Sequence, residues 1–327
     1  MGADKMQKLK SERQIDVSII VLTYCQENYV SQAIDSILMQ ETNLKYEILA
    51  GDDASTDGTP DILKSYAKEN PEVLQLILRE KNVGASYNFF DLLRRSKGKY
   101  IAVLEGDDFW LDSHKLQKQF DFLESHPEYA AHCSKCLIVD ENGKPDYERS
   151  CHIAWNKRTF TLEDLLDSWQ LPGQEGTVMA RNIYREMKPE EYDILYKVHP
   201  MVTDKTEALL LLHRGPYYCS NEVLSAYRFV DKKGENNWFS IHHANIYRNY
   251  DMFMYPCNLE TWARKHMKLP RGKHLGKRNA FRFARFVEEC VREPSLQRLQ
   301  YLAEMIGKSH QPLKYSWYVL KALIEME

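Results

Sequence analysis

Over the first hundred positions, short unbroken apolar runs alternate with segments whose apolar residues recur every three or four places. Residues 17–22 are β-branched and apolar on both faces, as an interior parallel strand is, and Val30, Ala33, Ile34, Ile37 and Leu38 then keep helical spacing within 27–39. The alternation continues with a strand over 46–50, a helix from about Pro60 to Asn70, a strand over 74–78, a helix over 86–96 and a strand over 100–104. Pro60 suits a first helical turn, and Ser55, Thr56 or Asp57 is placed to cap it. Such alternation predicts an α/β domain.

After Trp110 the character changes. An amphipathic helix over 113–125 leads to strands around 130–139 and 176–180, with a turn at Asp140-Glu141-Asn142-Gly143. Thr161-Leu162-Glu163-Asp164 has the spacing of a capping box, a strongly apolar helix follows Asp204, and 223–228 reads as a closing strand. From about His242 the chain is mostly helical, and residues 1–16 lack periodicity, as a frayed tail does.

Two strands end in carboxylates. The strand 100–104 runs into Glu105-Gly106-Asp107-Asp108, and the strand 46–50 into Asp52-Asp53-Ala54-Ser55-Thr56-Asp57-Gly58-Thr59. Clustered carboxylates repel, and hard oxygen ligands suit Mg2+ or Mn2+, which can bridge to a diphosphate. In open α/β sheets ligands bind outside the carboxyl ends of strands, where both groups fall. The competing reading of each is a solvated acidic loop, or a helix cap in the case of Asp57. At the end of the third strand Arg79 and Lys81 are placed to face a phosphate. Asn88, among Phe89, Phe90, Leu92 and Leu93, needs a partner, either internal or a ligand.

Composition narrows the classes. The 327 residues are 43% hydrophobic and 28% charged, enough for a sizeable core, and a net charge of −3 argues against a nucleic-acid binder. No apolar run approaches the ~18 residues of a membrane span and the N-terminus has no signal-peptide core, so a cytoplasmic location is expected. Seven cysteines, an odd number, make a disulfide framework an unsuitable reading. His132, Cys133 and Cys136 with Cys151 and His152 invite a zinc site, but residues three apart on a strand face opposite ways unless a bulge intervenes.

Thr23-Tyr24 with Tyr29, then Asp52 to Thr59, Asn82-Val83-Gly84 and Glu105-Gly106-Asp107-Asp108 follow one another in an order that resembles the nucleotide-sugar-binding half of an inverting GT-A glycosyltransferase, family two. The resemblance covers about two thirds of the chain. It implies a GT-A-like, Rossmann-type mixed sheet flanked by helices, with a C-terminal helical extension. The divisions expected are a tail (1–16), a nucleotide-sugar-binding half (17–112), an acceptor-binding half of the same domain (113–241) and a helical region (242–327). It implies a UDP-sugar donor, with Thr23 and Tyr24 lining the base pocket and Asp52 accepting from the uracil N–H. Glu27, Asp53, Arg79, Asn82 and Asp107 join them as donor-binding candidates, and Asp107 and Asp108 as ligands of Mn2+ or Mg2+. The catalytic base falls on Asp204, with Glu207 as fallback and helix capping as the structural alternative.

One departure from the family is plain: after Tyr227-Arg228-Phe229, where many relatives carry a His that can reach metal or diphosphate, this chain has Val230-Asp231-Lys232-Lys233-Gly234. Metal coordination would then lean on Asp107 or Asp108, phosphate oxygens and water, with Asp231, Lys232 or Lys233 as substitutes from a loop, roughly 230–238, with the composition of a lid. Outside the resemblance, the stretch from Arg264 to Arg285 carries nine Lys and Arg residues without an intervening acid. It suits either an anionic membrane surface, with a lipid-linked saccharide acceptor at the inner leaflet, or a solvated helix face. A Rossmann oxidoreductase would need a Gly-rich turn after the first strand, which Thr23 to Asn28 does not supply. The rival outside enzymology is a catalytically degenerate GT-A fold acting as a carbohydrate-binding or scaffold protein.

Overall fold

The computed structural model describes residues 14–150, 157–188, 192–199, 204–230, 245–269, 277–309 and 312–324. The tail up to residue 13, Cys151, His152 and the loop segment 231–238 therefore lie outside the described residues. The chain divides into two compact units, Met1–Phe160 with Leu171–Glu191 and Leu210–Val230, and Thr161–Gln170 with Tyr192–Leu209 and Asp231–Glu327.

The first unit is a mixed sheet with flanking helices. Its strands are β1 (Val17–Thr23), β2 (Tyr46–Asp52), β3 (Leu74–Leu78), β4 (Tyr100–Glu105), β5 (Phe109–Trp110), β6 (Ala131–Val139), β7 (Thr159–Phe160), β8 (Met179–Arg181) and β9 (Tyr217–Arg228). They lie in the order β3-β2-β1-β4-β8-β6-β9-β5, with β7 beside β9. β3, β2, β1 and β4 are parallel, as crossover helices require, and β8 joins β4 and β6 antiparallel. Val17, Ile19, Val21, Ile48, Ala50, Ala102 and Leu104 form a buried layer with Val30, Ala33, Ile34 and Ile37 of the helix Val30–Leu38.

Several boundaries move. The first helix starts at Val30, not near Glu27, because residues 24–29 form a turn held to its neighbour. The helix expected from Pro60 spans Thr59–Glu69, and Gly58, not a polar side chain, stands at its N-cap. The strand expected around 176–180 begins later, as β8, after the 3-10 turn Glu175–Thr177. Cys133 and Cys136 are both buried, since β6 shifts register against β9 between them, and Cys133 Sγ lies 3.5 Å from Cys219 Sγ.

The second unit is helical: Leu162–Ser168, which Thr161 and Asp164 open with the expected capping box, then Arg248–His266, Lys277–Arg292, Leu296–Lys308 and Pro312–Ile324. Phe283, Phe286, Val287 and Cys290 recur at helical spacing and bury against Phe253, Met254, Cys257, Leu302, Met305 and Tyr315.

Candidate donor site and its carboxylates

The parallel register sets Thr23 beside Asp52 and Leu22 beside Glu105, so the ends of β1, β2 and β4 share one edge of the sheet. There the turns after β1 and β2 are stitched together. Asp52, 1% exposed, accepts from the Thr23 hydroxyl at 3.1 Å, the Ser55 hydroxyl at 2.5 Å and the Ser55 N–H at 3.0 Å. The Cys25 N–H donates to Ser55 Oγ (2.8 Å) and the Gln26 N–H to Thr59 Oγ1 (2.8 Å). Glu27, exposed, accepts the Gly58 N–H at 2.6 Å, while Asp57 accepts the N–H groups of Glu27 and Thr59; against its burial, the Thr59 hydroxyl and then these N–H groups hold its carboxyl below the usual range. Cys25 and Ala54 take left-handed backbone conformations (φ 54° and 60°), uncommon for residues with a side chain. Tyr24 is half-buried in the first of these turns.

At the end of β4, ligand oxygens of Glu105, Asp107 and Asp108 lie within 4.8 Å of one another. Asp108, 1% exposed, accepts from the Gln174 amide (2.8 Å) and the Arg228 N–H (2.8 Å). Burial, then the charges of Asp107 and Glu105, push its carboxyl well above the usual range, and burial also raises that of Asp107. Asp107 Oδ1 is buried and accepts no hydrogen bond. An orphaned carboxylate oxygen beside two further carboxylates is an unfavourable arrangement for the protein alone. A hard divalent cation relieves both the repulsion and the missing partner, and the all-oxygen donor set suits one. Among the described residues this is the one His, Cys, Asp and Glu group of that kind.

Arg228, 4% exposed, braces the cluster. Its guanidinium donates to the carbonyls of Asp107 (2.8 Å), Asp140 (3.2 Å) and Glu141 (2.9 Å) and to Gln32 Oε1 (2.6 Å), and lies 4.5 Å over the Tyr29 ring. Tyr227 beside it has its hydroxyl pushed up by burial and then by the three acids. Behind the cluster the Trp110 indole donates to the Gly176 carbonyl (3.1 Å), and the buried Lys115 ammonium stands 4.5 Å over that ring, bonded to Gln119 Oε1 at 2.7 Å. Gly106 has no room for a side chain: a Cβ would lie 2.5 Å from Gln26 Oε1 and 2.7 Å from Thr23 Cγ2.

The third strand end is less free than its composition suggests. Arg79 pairs with Asp91 at 2.7 Å and donates to Asn88 Oδ1 at 3.1 Å, and Asn88 in turn donates to the Gly51 carbonyl at 2.8 Å. Asn88 is thus satisfied internally. Asp53, 3% exposed, accepts the N–H groups of Val83 (2.7 Å) and Gly84 (2.9 Å) and so fixes the Asn82 loop, where exposed Asn82 accepts the Gly84 N–H.

Asp204 opens the helix Asp204–Leu212 and itself belongs to the second unit. It is half-buried and accepts the Lys205 N–H at 2.7 Å, and burial raises its carboxyl above the usual range against the pull of Lys205. Thr206 bonds the Tyr255 hydroxyl through its N–H (3.1 Å) and its own hydroxyl (2.8 Å), anchoring that first turn, and Glu207 is buried. In the basic stretch Arg264, Lys265, Lys268 and Arg285 are exposed, whereas Arg282 is half-buried and donates to Asn249 Oδ1 at 2.9 Å.

The sequence motifs miss the bracing groups, Gln174 and Arg228. Gln174 lies in a loop without any pattern, and Arg228 reads only as strand.

The family model described as glycosyl transferase family 2 matches residues 18–187. The chain is 40% identical over 185 residues to the uncharacterised protein Rv1520 of Mycobacterium tuberculosis, covering 57% of this chain and 51% of that protein. It thus spans about half the length of the mycobacterial relatives it matches. It is 37% identical over 232 residues to Bacillus subtilis TuaG, named for teichuronic acid biosynthesis, covering 68% and 82%. Among solved structures, S. aureus TarS 1-349 in complex with UDP-GlcNAc superposes with a TM-score of 0.61 at 17% identity, covering 91% of this chain and 81% of that one, so the two share the fold.

Proposed function

Because the chain belongs to glycosyl transferase family 2, we propose that it moves a sugar from a UDP-sugar to an acceptor hydroxyl with inversion, in the assembly of a surface polysaccharide or glycolipid. The observation that carries this reading is the Glu105, Asp107 and Asp108 cluster with its orphaned buried oxygen, at the sheet edge it shares with Asp52.

In this reading Asp107 and Asp108, with Glu105, hold Mn2+ or Mg2+. The cation, when bound, neutralises charge on the departing diphosphate as a Lewis acid. Thr23 and Tyr24 border the base, and Asp52 accepts the uracil N–H with the lone pairs its turn leaves open. Asp53 and Asn82 shape the third loop, Glu27 fixes the second turn, and Arg79 orders the helix beside them more than it meets phosphate. Asp204 removes the acceptor proton. Burial raises its carboxyl, and a base whose pKa lies nearer the working pH accepts a proton with more driving force. Attack from the face opposite the diphosphate inverts the anomeric carbon.

The acceptor is a saccharide, free or lipid-linked. The exposed cations Arg264, Lys265, Lys268 and Arg285 favour contact with the anionic cytoplasmic leaflet, and no described helix is long and apolar enough to cross a membrane.

The test is a panel of nucleotide sugars with Mn2+ or Mg2+, scored by the nucleoside diphosphate released without acceptor. Metal-dependent UDP release from one UDP-sugar is expected. No binding and no hydrolysis of any donor would leave the degenerate carbohydrate-binding or scaffold fold as the reading.

A further inference from the structure

Successive side chains of β9 alternate between the two faces of the sheet, so Ser225 and Tyr227 share one face and Arg228 takes the other. The Ser225 hydroxyl donates to the Gly176 carbonyl at 2.8 Å, which sets that face against the turn Glu175–Thr177. The same turn borders the acids. A Cβ on Gly176 would lie 3.9 Å from Asp108 Oδ2, the oxygen that accepts from the Gln174 amide at 2.8 Å. Tyr227 is the next residue along this face, directly before the Arg228 N–H that bonds the other oxygen of Asp108. It is half-buried, not sealed in the core. Burial and then the charges of Glu105, Asp108 and Asp107 act on its hydroxyl. Yet that hydroxyl makes no hydrogen bond with any described residue.

A ring needed only for packing gains nothing from a hydroxyl beside carboxylates. A hydroxyl placed to brace an acid, as Gln174 and the Arg228 N–H brace Asp108, would bond one. Tyr227 fits neither role. A diphosphate that arrives with a cation keeps oxygen lone pairs beyond those the cation takes up, and these call for N–H or O–H donors. The arginines Arg79 and Arg228 are committed within the chain, the first to Asp91 and Asn88, the second to three carbonyls and Gln32. A phenol is protonated at neutral pH and supplies a donor.

We propose that Tyr227 is a donor-binding residue, its hydroxyl giving a hydrogen bond to a phosphate oxygen of the nucleotide diphosphate bound with the cation at Glu105, Asp107 and Asp108. This role rests on the UDP-sugar reading above, and Tyr227, Gln174 and the three acids all lie in the first unit.

The experiment compares the full chain with Tyr227→Phe, which keeps the ring and removes the hydroxyl. Both are titrated calorimetrically with UDP in the presence of Mn2+ and with Mn2+ alone, and both are melted without ligand. UDP affinity should fall about 10- to 100-fold in the variant, the loss expected for a hydrogen bond to a charged group. The response to Mn2+ alone and the unliganded melting temperature should be the same in the two proteins, because the hydroxyl holds nothing in the chain. Unchanged UDP affinity overturns the role. So does an equal fall in affinity for Mn2+ alone, which would put the hydroxyl on the cation or its acids. A melting temperature lowered by several degrees also overturns it, by making the hydroxyl a structural group. A parent that binds no UDP in Mn2+ sinks the transferase reading itself, whereas a parent and variant that bind UDP equally sink the role of Tyr227 alone.

Discussion

Lys115 is fully buried, with one side-chain acceptor, Gln119 Oε1, and the Trp110 face for company. Burial lowers its pKa from 10.5 to about 7, which corresponds to about 5 kcal/mol against the charged form in the folded chain. The folded pKa lies below the unfolded one, so between about pH 7 and 10.5 the unfolded chain binds more protons and stability rises with pH. From pH 7 to 9 the expected gain is about 2 kcal/mol, and below about 7 the dependence levels off. Lys115→Met removes the charge at similar length but leaves Gln119 Oε1 without its donor, a cost of about 1–3 kcal/mol. The variant should therefore be more stable than the parent by about 2 kcal/mol at pH 7, with the difference vanishing by pH 9. His132 does not blur the window, since burial and Lys115 lower its pKa to about 4. Urea denaturation at intervals between pH 6 and 9.5 reads the difference directly, and titrating groups that do not feel Lys115 cancel between the two proteins. Parallel parent and variant profiles from pH 7 to 9 would refute the reasoning.

Asp204→Asn should lower transfer ~100- to 10,000-fold with donor binding retained. The parent's rate should rise with pH through a midpoint above the ordinary carboxylate range, because burial favours the protonated, inactive form, and a pH profile of kcat checks both. Asp53→Ala strips the acceptor from the Val83 and Gly84 N–H groups and should cost about 2–4 kcal/mol by chemical denaturation, with UDP affinity falling alongside. Gly106→Ala drives a methyl into Gln26 and Thr23 and should cost about 1–3 kcal/mol, and an unchanged melting temperature would show that the two turns can part. Asp107→Asn should abolish the rise in melting temperature that Mn2+ gives the parent in the presence of UDP.

What the sequence discloses of this site is what periodicity and strand ends can carry. Unbroken apolar runs such as 17–22 announce parallel strands, and a parallel strand's carboxyl end is where its next residues must emerge, so the sequence alone assigns Asp52 and Glu105 to Asp108 to one edge. What each polar side chain does there depends largely on contacts a dozen or more positions away, which no local pattern encodes. Asp52 and Asp53 are adjacent and chemically identical, yet one is bound by its own turn and Thr23 and the other holds a loop that begins 29 residues later. Arg79, a cation at a strand end, has the composition of a phosphate ligand, but Asp91, on the helix Ala85–Arg95 that follows, claims it. The acids of the cluster show the converse. Asp108 is supported from Gln174 and Arg228, whose sequence contexts are a featureless loop and an ordinary strand, because bracing a carboxylate needs only one well-placed N–H. Asp107 keeps an oxygen without a partner in the same surroundings. Two distant residues hold one acid while an oxygen of its neighbour keeps no partner, and it is on this contrast that the proposed cation site rests.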